Sequence, residues 1–396
     1  MAINKEQNIL NVPHLRFPEF HGEWEKCKVS DLLDFYSTNS LSWDQLEYGT
    51  DNMLNLHYGL IHVGLPTMVD LSKDILPAIK KENEPKNFEL CKEGDIAFAD
   101  ASEDTNEVAK AIEFYTLEDK AVVCGLHTIH GRDKSNKTVV GYKGYAFSST
   151  AFHHQIRRIA QGTKIYSISA KNFAECYIGI PSKEEQTKIA KLLRLIDERI
   201  ATQSKLIEDL KKLKSAISEN LFKAVKGDVV ILSEICEIIK GKQVNGEFLS
   251  EKGKYYVMNG GTEPSGYYSD YNVKANTISI SEGGNSCGYV QFNTSPFWSG
   301  GHCYTIQKIA DNVDNLYLYH YLKSKEDAIM KLRIGSGLPN IQKKDLAMFK
   351  IKIPTVEQQK SISTFLSSLE RKAEIEKHIQ NAIQNEKSYL LQHMFM

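Results

Sequence analysis

A length of 396 residues, 41% of them hydrophobic and 25% charged, excludes a wholly disordered protein and predicts at least two globular domains. The net charge of −1 lacks the basic excess that a protein binding nucleic acid by itself usually carries. No apolar run reaches the roughly 18 residues of a membrane span, and the N-terminus lacks the pattern of a signal peptide, so we expect a cytoplasmic protein without membrane contact.

The first half begins with a short strand or helix opener at 28–33 (KVSDLL). Strand-like runs flanked by glycine or charge follow at 94–99, 120–125 and 164–168. An exit strand then ends at Pro181. These runs together predict a mixed α/β domain.

A long helix is predicted after Pro181. Ser182 is a suitable N-cap, and the two glutamates after it suit the positive end of the helix dipole. Apolar residues then recur at a 4-3-4 spacing, which is a heptad seam, as far as Lys226, where Gly227 is a suitable stop. The seam contains Ile189, Leu193, Ile196, Ile200, Ile207 and Leu210, with Gln203 and Lys214 interrupting it.

The second half repeats these elements in the same order. Its opener is LSEICE at 232–237, and an aromatic-faced helix is predicted at 315–323. Strand-like runs lie at 276–281, 288–292 and 303–307. A second long helix starts at Thr355, and its weaker seam contains Ile362, Leu366, Leu369 and Ile383, with Glu376, Gln380 and Lys387 also on it. Each helix has about 40 residues and would be roughly 60 Å long.

The two halves are an internal repeat at an offset of 173 residues. Residues 162–193 align without gaps on 335–366, with 11 of 32 positions identical. The repeated core is an Ile-x-Ile-Pro strand followed by a Glu-x-Gln helix start, whereas the middles of the two halves differ. Matched frames around divergent middles predict two domains built alike for different targets.

This pattern resembles the specificity subunits of type I restriction-modification systems over nearly the whole chain. The first half carries the resemblance in LRFPEF at 15–20, EW at 23–24, KVSDLL at 28–33, GDI at 94–96 and IPSKEEQTKIAKLL at 180–193. The second half carries it in NGGTEPSGYYSDYN at 259–272, GSGLPNI at 335–341 and IPTVEQQKSISTFL at 353–366.

The resemblance implies a mixed α/β (α+β) fold. Two globular DNA target-recognition domains are expected to be separated by two long antiparallel coiled-coil helices, in a pseudo-twofold internal repeat. The expected segments are an N-terminal segment (1–23), target-recognition domain 1 (24–181), a central spacer helix (182–226), target-recognition domain 2 (227–354) and a C-terminal spacer helix (355–396). The helices would act either as a ruler between the domains or as a plain brace.

The resemblance also implies the function and the partners. Such a subunit is not a catalyst: it reads a bipartite sequence in double-stranded DNA and directs adenine methylation and restriction by other subunits. Two methyltransferase (modification) subunits and two restriction (helicase-nuclease) subunits are the expected partners. This chain is expected to bind no cofactor, because S-adenosylmethionine, ATP and Mg belong to the partner subunits.

Two other functions are weighed against this one. A self-sufficient methyltransferase or nuclease is disfavoured, because the sequence has no phosphate-binding loop and no Asn/Asp-Pro-Pro-aromatic motif. A coiled-coil scaffold that does not bind DNA is compatible with the near-neutral charge. The seven cysteines are scattered without a CxxC pair, and His127 and His130 have no ligand partner nearby in the sequence, so we expect reduced thiols and no metal site.

Candidate DNA-contacting residues are polar, basic or aromatic side chains in loop-like stretches of the two middles. In the second middle they are Lys240, Lys242, Gln243, Asn259, Thr262, Ser265, Tyr267, Tyr268, Asn272 and Asn285. In the first middle they are Thr38, Asn39, Arg132, Lys134, Lys137, Arg157 and Arg158, with the last two on a predicted helix. The alternative for each is an ordinary solvated loop residue or a structural ion pair.

Overall fold

A computed structural model describes residues 11–50, 52–335, 337 and 339–396 of the chain. The contacts divide it into two compact units. The first contains the residues up to Gln203 together with Ile379–Met396, and the second contains Ser204–His378. Among the described residues, no helix combines the length and the apolar character needed to cross a bilayer.

The first unit is a mixed α/β domain. Its strands are β1 (Glu25–Lys28), β2 (Leu33–Tyr36), β3 (Leu46–Glu47), β4 (Leu54–Leu56), β5 (Met68–Asp70), β6 (Ala78–Ile79), β7 (Ile96–Ala99), β8 (Ala101–Ser102), β9 (Ala111–Thr116), β10 (Val122–Cys124), β11 (Thr128–Asp133), β12 (Tyr166–Ser167) and β13 (Tyr177–Ile180). Its helices are α1 (Val29–Leu32), α2 (Tyr58–His62), α3 (Lys143–Phe147), α4 (Thr150–Ile159), α5 (Ala170–Ala174) and α6 (Lys183–Ala224), which belongs to this unit as far as Gln203.

The second unit has the same kinds of element. Its strands are β14 (Asp228–Ile231), β15 (Glu237–Lys240), β16 (Tyr255–Met258), β17 (Tyr267–Tyr268), β18 (Thr277–Ser281), β19 (Val290–Asn293), β20 (Trp298–Ser299), β21 (Cys303–Gln307) and β22 (Lys350–Ile353). Its helices are α7 (Leu232–Ile235), α8 (Asn315–Ser324), α9 (Glu326–Met330), α10 (Lys343–Ala347) and α11 (Val356–His393), which belongs to this unit as far as His378.

The two units share one sheet topology. The first has the strand order β2-β11-β7-β9-β5, and the second has β15-β21-β18-β19, with antiparallel pairing across the four corresponding strands. Beside this sheet, β10 pairs parallel with β4 in the first unit, and β20 pairs parallel with β16 in the second. In each unit an antiparallel pair, β1–β13 or β14–β22, leads into a long helix. The predicted mixed α/β fold with two long helices is confirmed.

Each long helix begins as its sequence predicts. The Ser182 hydroxyl accepts from the Glu185 amide at 3.3 Å, and the Thr355 hydroxyl accepts from the Gln358 amide at 3.4 Å. In α6, hydrogen bonds from the Glu184 backbone and the Ser182 side chain lower the pKa of Glu184. The carboxylate therefore suits the free amides of the first turn.

Within each unit, half of α6 packs against half of α11. In the first unit Asp197 pairs with Lys387 at 2.5 Å, and the backbone at Gly179, just before α6, adjoins the Met396 side chain. The two segments therefore run antiparallel there. In the second unit Lys214 pairs with Glu370.

The predicted seam residues differ in burial. Ile189, Leu193, Ile207 and Leu366 are buried, whereas Ile196, Ile200, Leu210, Ile362, Leu369 and Ile383 are partly buried. Gln203, which interrupts the seam in the sequence, is only 2% exposed.

Two local predictions are wrong. Gly227 does not adopt the left-handed conformation of a helix stop; instead, a Cβ there would lie 2.4 Å from the Ile353 carbonyl oxygen, so glycine permits a close backbone approach. The stretch from His127 to Lys137 is not a loop throughout, because Thr128–Asp133 forms β11 between β2 and β7. Its Thr-Ile-His-Gly-Arg-Asp sequence has too few apolar residues to give an alternating strand signal.

Candidate nucleic-acid interface

Four loops of the second unit meet at one end of its sheet. They are Lys240–Gln243, Asn259–Gly261, Glu282–Asn285 and Ser299–His302, and we call this surface the second rim. Its backbone bonds are Gly241 N to Cys303 O at 2.8 Å, Lys242 N to Ser299 O at 2.8 Å, Gly300 N to Met258 O at 2.8 Å and Glu282 N to His302 O at 2.9 Å. Three stretches that the sequence predicts separately therefore form one surface.

Two predicted residues of this region hold the rim together. Asn259 Oδ1 accepts from the His302 amide at 3.1 Å, and Asn272 bonds both backbone groups of Ser299, at 3.0 and 2.7 Å. A Cβ at Gly300 would lie 2.5 Å from Asn259 Oδ1, so this glycine is required by the close approach. The Asn259 oxygen and the whole Asn272 amide are thus engaged within the domain.

The exposed groups of the second rim are polar. Lys240 reaches Glu282 Oε1 at 2.6 Å but leaves 52% of its side chain exposed, and Lys242, Gln243 and Asn285 are exposed. The His302 side chain is 65% exposed and lies 3.7 Å from Glu282 Oε2, a buried atom without a hydrogen-bond partner in the described part of the chain. The sequence interpretation missed His302. Its only signal is its place directly after a Gly-Gly pair.

The other predicted residues of the second unit lie beside the rim. Thr262 and Ser265 are exposed in the loop after β16. Tyr267 and Tyr268 form the short strand β17 and are half-buried, with the Tyr268 ring edge-on to Trp298 at 5.0 Å. Packing against Trp298 therefore fixes the Tyr268 ring.

The first unit has a corresponding surface, which we call the first rim. It comprises Thr38–Asn39 after β2, His57 after β4, Asp100 after β7 and Gly125–His127 before β11. The Asp100 amide donates to the His127 carbonyl at 3.1 Å, as the Glu282 amide donates to His302. A Cβ at Gly125 would lie 2.5 Å from Asn55 Nδ2, as one at Gly300 would meet Asn259. The sheet topology thus shows which loops of the two domains correspond, although the sequences of these regions do not align.

A histidine and a carboxylate pair at the same place in both rims. His127 Nδ1 lies 3.1 Å from Asp100 Oδ1, and His302 Nδ1 lies 3.7 Å from Glu282 Oε2. Both histidines are exposed, at 50% and 65% of their side chains. Asp100 orients the His127 ring by a hydrogen bond, so its other nitrogen can face a base edge, whereas the His302 ring lies near Glu282 without a hydrogen bond to it.

The first rim also carries a series of aromatic rings. Trp43 lies 4.4 Å from His57, His57 lies 4.7 Å from Tyr58, and Tyr58 lies 5.2 Å from His127, measured between ring centroids. Burial and the nearby His127 lower the pKa of His57, so this ring is neutral near pH 7. Trp43 is 45% exposed, which leaves it a free face. The sequence interpretation did not select Trp43.

Thr38 and Asn39 lie in the first rim, and their contact with DNA stays a prediction. Both are engaged: the Thr38 hydroxyl donates to the Thr128 carbonyl at 3.3 Å, and the Asn39 amide donates to Asn55 Oδ1 at 2.7 Å. Their contribution is therefore to shape the rim, with part of each side chain left accessible.

Arg132, Lys134 and Lys137 lie at or beyond the opposite end of β11 from the first rim. Arg132 bonds Asp95 twice at 2.8 Å and Glu89 at 2.6 Å, and its hydrogen bonds to Asp95 raise its pKa. Lys134 lies 3.6 Å from Asp34, and Lys137 pairs with Glu25. Carboxylates thus neutralise this group locally, and the structure does not bring it to the rim.

Arg157 and Arg158 lie on α4, so the predicted helix there is correct. Both are exposed, and Arg157 donates to Asn106 Oδ1 at 2.9 Å. Among the described residues, the Arg158 side chain has no hydrogen-bond or ion-pair partner. Whether either contacts phosphate stays a prediction.

One group of side chains could hold a metal ion. A ligand atom from each of Cys91, Cys124 and His130 lies within 4.8 Å of the others, and all three residues are buried. From spacing along the chain the sequence predicts no metal site at His130, and this stays a prediction, but the fold brings two cysteines close to the ring. Spacing in the sequence gave no signal, because the ligands lie on or beside different strands.

Comparison with known proteins decides the family. The family model described as type I restriction modification DNA specificity domain matches residues 22–212 and again 225–385. The chain belongs to this family. The resemblance drawn from the repeated Pro-x-x-Glu-x-Gln element is thereby confirmed, and each specificity domain contains one of the two rims.

Three curated relatives are type I specificity subunits by description. A putative one from Mycoplasma pneumoniae is 33% identical over 145 residues, and one from Mycoplasma genitalium is 30% identical over 145 residues; each match covers 36% of this chain and 38% of the relative, well under half its length. A putative type I restriction enzyme MjaX specificity subunit from Methanocaldococcus jannaschii is 23% identical over 98% of this chain and 95% of its own length.

Two solved structures share the fold of this specificity-domain protein. The crystal structure of a type I restriction-modification S subunit from M. genitalium has a TM-score of 0.62 at 19% identity and covers 97% of this chain and 99% of that chain. A chain from work on complex assembly and conformational transition of the type I R-M system has a TM-score of 0.59 at 15% identity, covering 93% and 96%. At these identities the likeness shows the fold.

Proposed function

We propose that this chain is the DNA-reading specificity subunit of a type I restriction-modification complex, and that each rim reads one half of a bipartite target. One observation carries the proposal: the two domains share a sheet topology, but the side chains exposed on their rims differ. Lys242, Gln243, Asn285 and His302 project from the second, whereas Trp43 and His127 project from the first. Such side chains read base edges or stack on bases.

The chain directs catalysis by other subunits rather than performing it. Two modification subunits would supply S-adenosylmethionine-dependent adenine methylation, and two restriction subunits would supply ATP- and Mg-dependent cleavage, in the cytoplasm. Exposed apolar side chains on the long helices support partner docking. They are Leu195, Leu206, Leu213, Phe365, Ile375, Ile379 and Tyr389.

Near-neutral charge fits a reader that shares its phosphate contacts with partners. The 107 residues from Asp228 to Ile334 contain 10 lysines and arginines against 12 acidic residues. Phosphate contacts dominate the affinity of most DNA-binding proteins. The proposal therefore places base reading in this chain and much of the phosphate affinity in the modification subunits.

Rim and non-rim lysines of the second unit test the proposal. Lys242→Ala, combined with Gln243→Ala, should lower affinity for the target at least tenfold relative to unrelated DNA, since a base contact is worth about 1–3 kcal/mol. The matched control is Lys308→Ala, at the opposite end of β21, where Lys308 pairs with Glu237. Fluorescence anisotropy of the complex with its modification subunits, on the motif found by methylome sequencing, gives both affinities.

Two results would oppose the proposal. If Lys308→Ala reduces discrimination as much as the rim double variant, the rim is not the reading surface. If neither the chain nor its complex discriminates any motif, the scaffold alternative gains support. In the first unit, His127→Ala compared with Lys134→Ala decides whether the rim or the far end of β11 contacts DNA.

A further inference from the structure

We propose that the first unit contains a buried zinc site formed by Cys91, Cys124 and His130. The inference is independent of the proposed DNA-reading function. Cys91 precedes β7, Cys124 ends β10 and His130 lies in β11, so the site would connect the four-stranded sheet that contains β10 to the five-stranded sheet that contains β11. Two thiolates and one imidazole are common zinc ligands, and a water molecule can take the fourth position.

The distance between the sulfurs fits a shared metal ion. Cys91 Sγ and Cys124 Sγ lie 3.6 Å apart. Two sulfurs bound to one tetrahedral zinc at about 2.3 Å each are about 3.8 Å apart. In a disulfide the sulfurs are about 2.05 Å apart. The two cysteines would therefore have to move together to form a disulfide, whereas zinc binding needs no such movement.

Hydrogen bonding gives His130 the tautomer that a metal requires. Its Nε2 lies 2.8 Å from Asp95 Oδ2, and Asp95 also accepts from Arg132 and from the Lys92 amide, so this carboxylate acts as an acceptor. Nε2 therefore carries the proton, and Nδ1 keeps its lone pair. A carboxylate that accepts from the other nitrogen is the usual support of a zinc-bound histidine.

That lone pair has no hydrogen-bond partner among the residues that the structure describes. His130 is 0% exposed, and its Nδ1 is among the buried polar atoms without a hydrogen bond. A buried nitrogen acceptor left unpaired is unfavourable. Coordination to a cation beside two thiols would satisfy it.

The charges of the site balance with a divalent ion. Two thiolates and Zn²⁺ together are neutral, and Asp95 is already paired with Arg132 at 2.8 Å. Cys91 and Cys124 are 5% and 2% exposed, so an uncompensated charge there would be strongly disfavoured. This balance favours Zn²⁺ over a monovalent thiophilic ion such as Cu⁺.

Metal analysis of the full-length chain tests the site. Protein purified without added chelator should contain one zinc per chain by plasma mass spectrometry. After zinc removal, Co²⁺ should restore a stoichiometric complex with the near-ultraviolet sulfur-to-cobalt charge-transfer absorption that two thiolates give. Cys91→Ser and Cys124→Ser should each lose the zinc. Cys176→Ser, which removes another buried thiol of the same unit, should retain it.

Several outcomes would overturn the site. They are wild-type protein that binds neither zinc nor Co²⁺, copper in place of zinc, or a Cys91–Cys124 disulfide in peptide mass spectra of the native protein. The wild-type Co²⁺ spectrum decides the matter even if the serine variants fail to fold. Because metal content is measured without DNA, failure of the DNA-reading proposal leaves this test unaffected.

Discussion

Gln186 and Gln359 occupy the same place in the repeat and perform the same task. Gln186 donates to the Pro181 and Lys137 carbonyls, both at 2.9 Å, and accepts from the Val139 amide at 2.9 Å. Gln359 bonds Pro354, Asn312 and Asp314 in the same way, at 2.9, 3.0 and 2.8 Å. Both are 0% exposed. Each side chain therefore fastens the first turn of a long helix to its own domain.

Replacing this buried amide should destabilise the second unit. Gln359→Leu leaves three backbone groups without partners, and an unsatisfied buried group costs about 1–3 kcal/mol, so we expect a loss of about 3 kcal/mol. The neighbouring Gln358→Leu is the control, because Gln358 is exposed. Urea denaturation followed by circular dichroism measures both. Equal effects of the two substitutions would show that the amide bonds do not stabilise the domain.

His320 should make the second unit sensitive to acid. Burial lowers its pKa to about 4, and its Nε2 lies 2.9 Å from the Ser367 hydroxyl. Because the folded pKa is below the unfolded value of about 6.5, protonation favours the unfolded chain. The contribution of neutral His320 to the free energy of unfolding is fully present above pH 6.5. It declines as the pH falls toward 4, by roughly 3 kcal/mol at most.

Denaturation curves of His320→Gln between pH 7 and pH 4 check this. The variant should lose less stability on acidification than the wild type. His378→Gln, at an exposed position of α11, should follow the wild-type curve. An identical pH dependence of all three proteins would assign the acid sensitivity to other groups.

The long helices use polar residues at seam positions, and these residues are paired. In the first unit Lys387 and Asp197 form an ion pair that is 20% exposed on both sides, and the Tyr145 hydroxyl donates to Asp197 at 2.9 Å. In the second unit Lys214 pairs with Glu370, which also accepts from the Tyr319 hydroxyl at 2.9 Å. The acids and the lysines correspond at the 173-residue offset, and in each domain a tyrosine hydroxyl donates to the acid.

Charge exchange tests the pair in the first unit. Lys387→Glu or Asp197→Lys alone should cost about 1–3 kcal/mol, because each replaces a mostly buried charge-assisted bond with repulsion. The double exchange should recover more than half of that loss. Lys377→Glu, at an exposed lysine of the same helix, should change stability by less than about 0.5 kcal/mol. If the double variant loses as much stability as the two single variants together, the two residues do not form a direct pair.

At the scale of the whole molecule, each unit repeats a frame and varies its rim. The frame consists of the β1–β13 or β14–β22 pair, the four-strand core of the sheet and the start of a long helix. Rim side chains project from loops, which can change without disturbing the sheet. Each domain should therefore recognise its half of the target independently of the other domain.

Replacement of residues 228–334 by the corresponding segment of another family member should change one half of the methylated motif and leave the other half intact. The first rim lies wholly within the first unit and is not altered by the exchange. Methylome sequencing of a host that carries the chimaera with its modification subunit gives the motif. A change in both halves would show that the rims do not read independently.

The sequence by itself determined the elements whose signals are local. The heptad spacing, the Ser182 and Thr355 caps and the repeated Pro-x-x-Glu-x-Gln element depend on residues a few positions apart, so α6 and α11 and their family could be predicted. The runs at 94–99, 276–281 and 303–307 were predicted as strands for the same reason.

Only the tertiary structure decided which residues meet. Strand order brings Asp100 to His127, and it places Arg132 among carboxylates at the far end of β11; neither outcome follows from spacing along the chain. The Cys91, Cys124 and His130 cluster likewise joins residues up to 39 positions apart. Pairing between distant strands fixes these contacts, and a single sequence carries that information only through the packing of the whole domain.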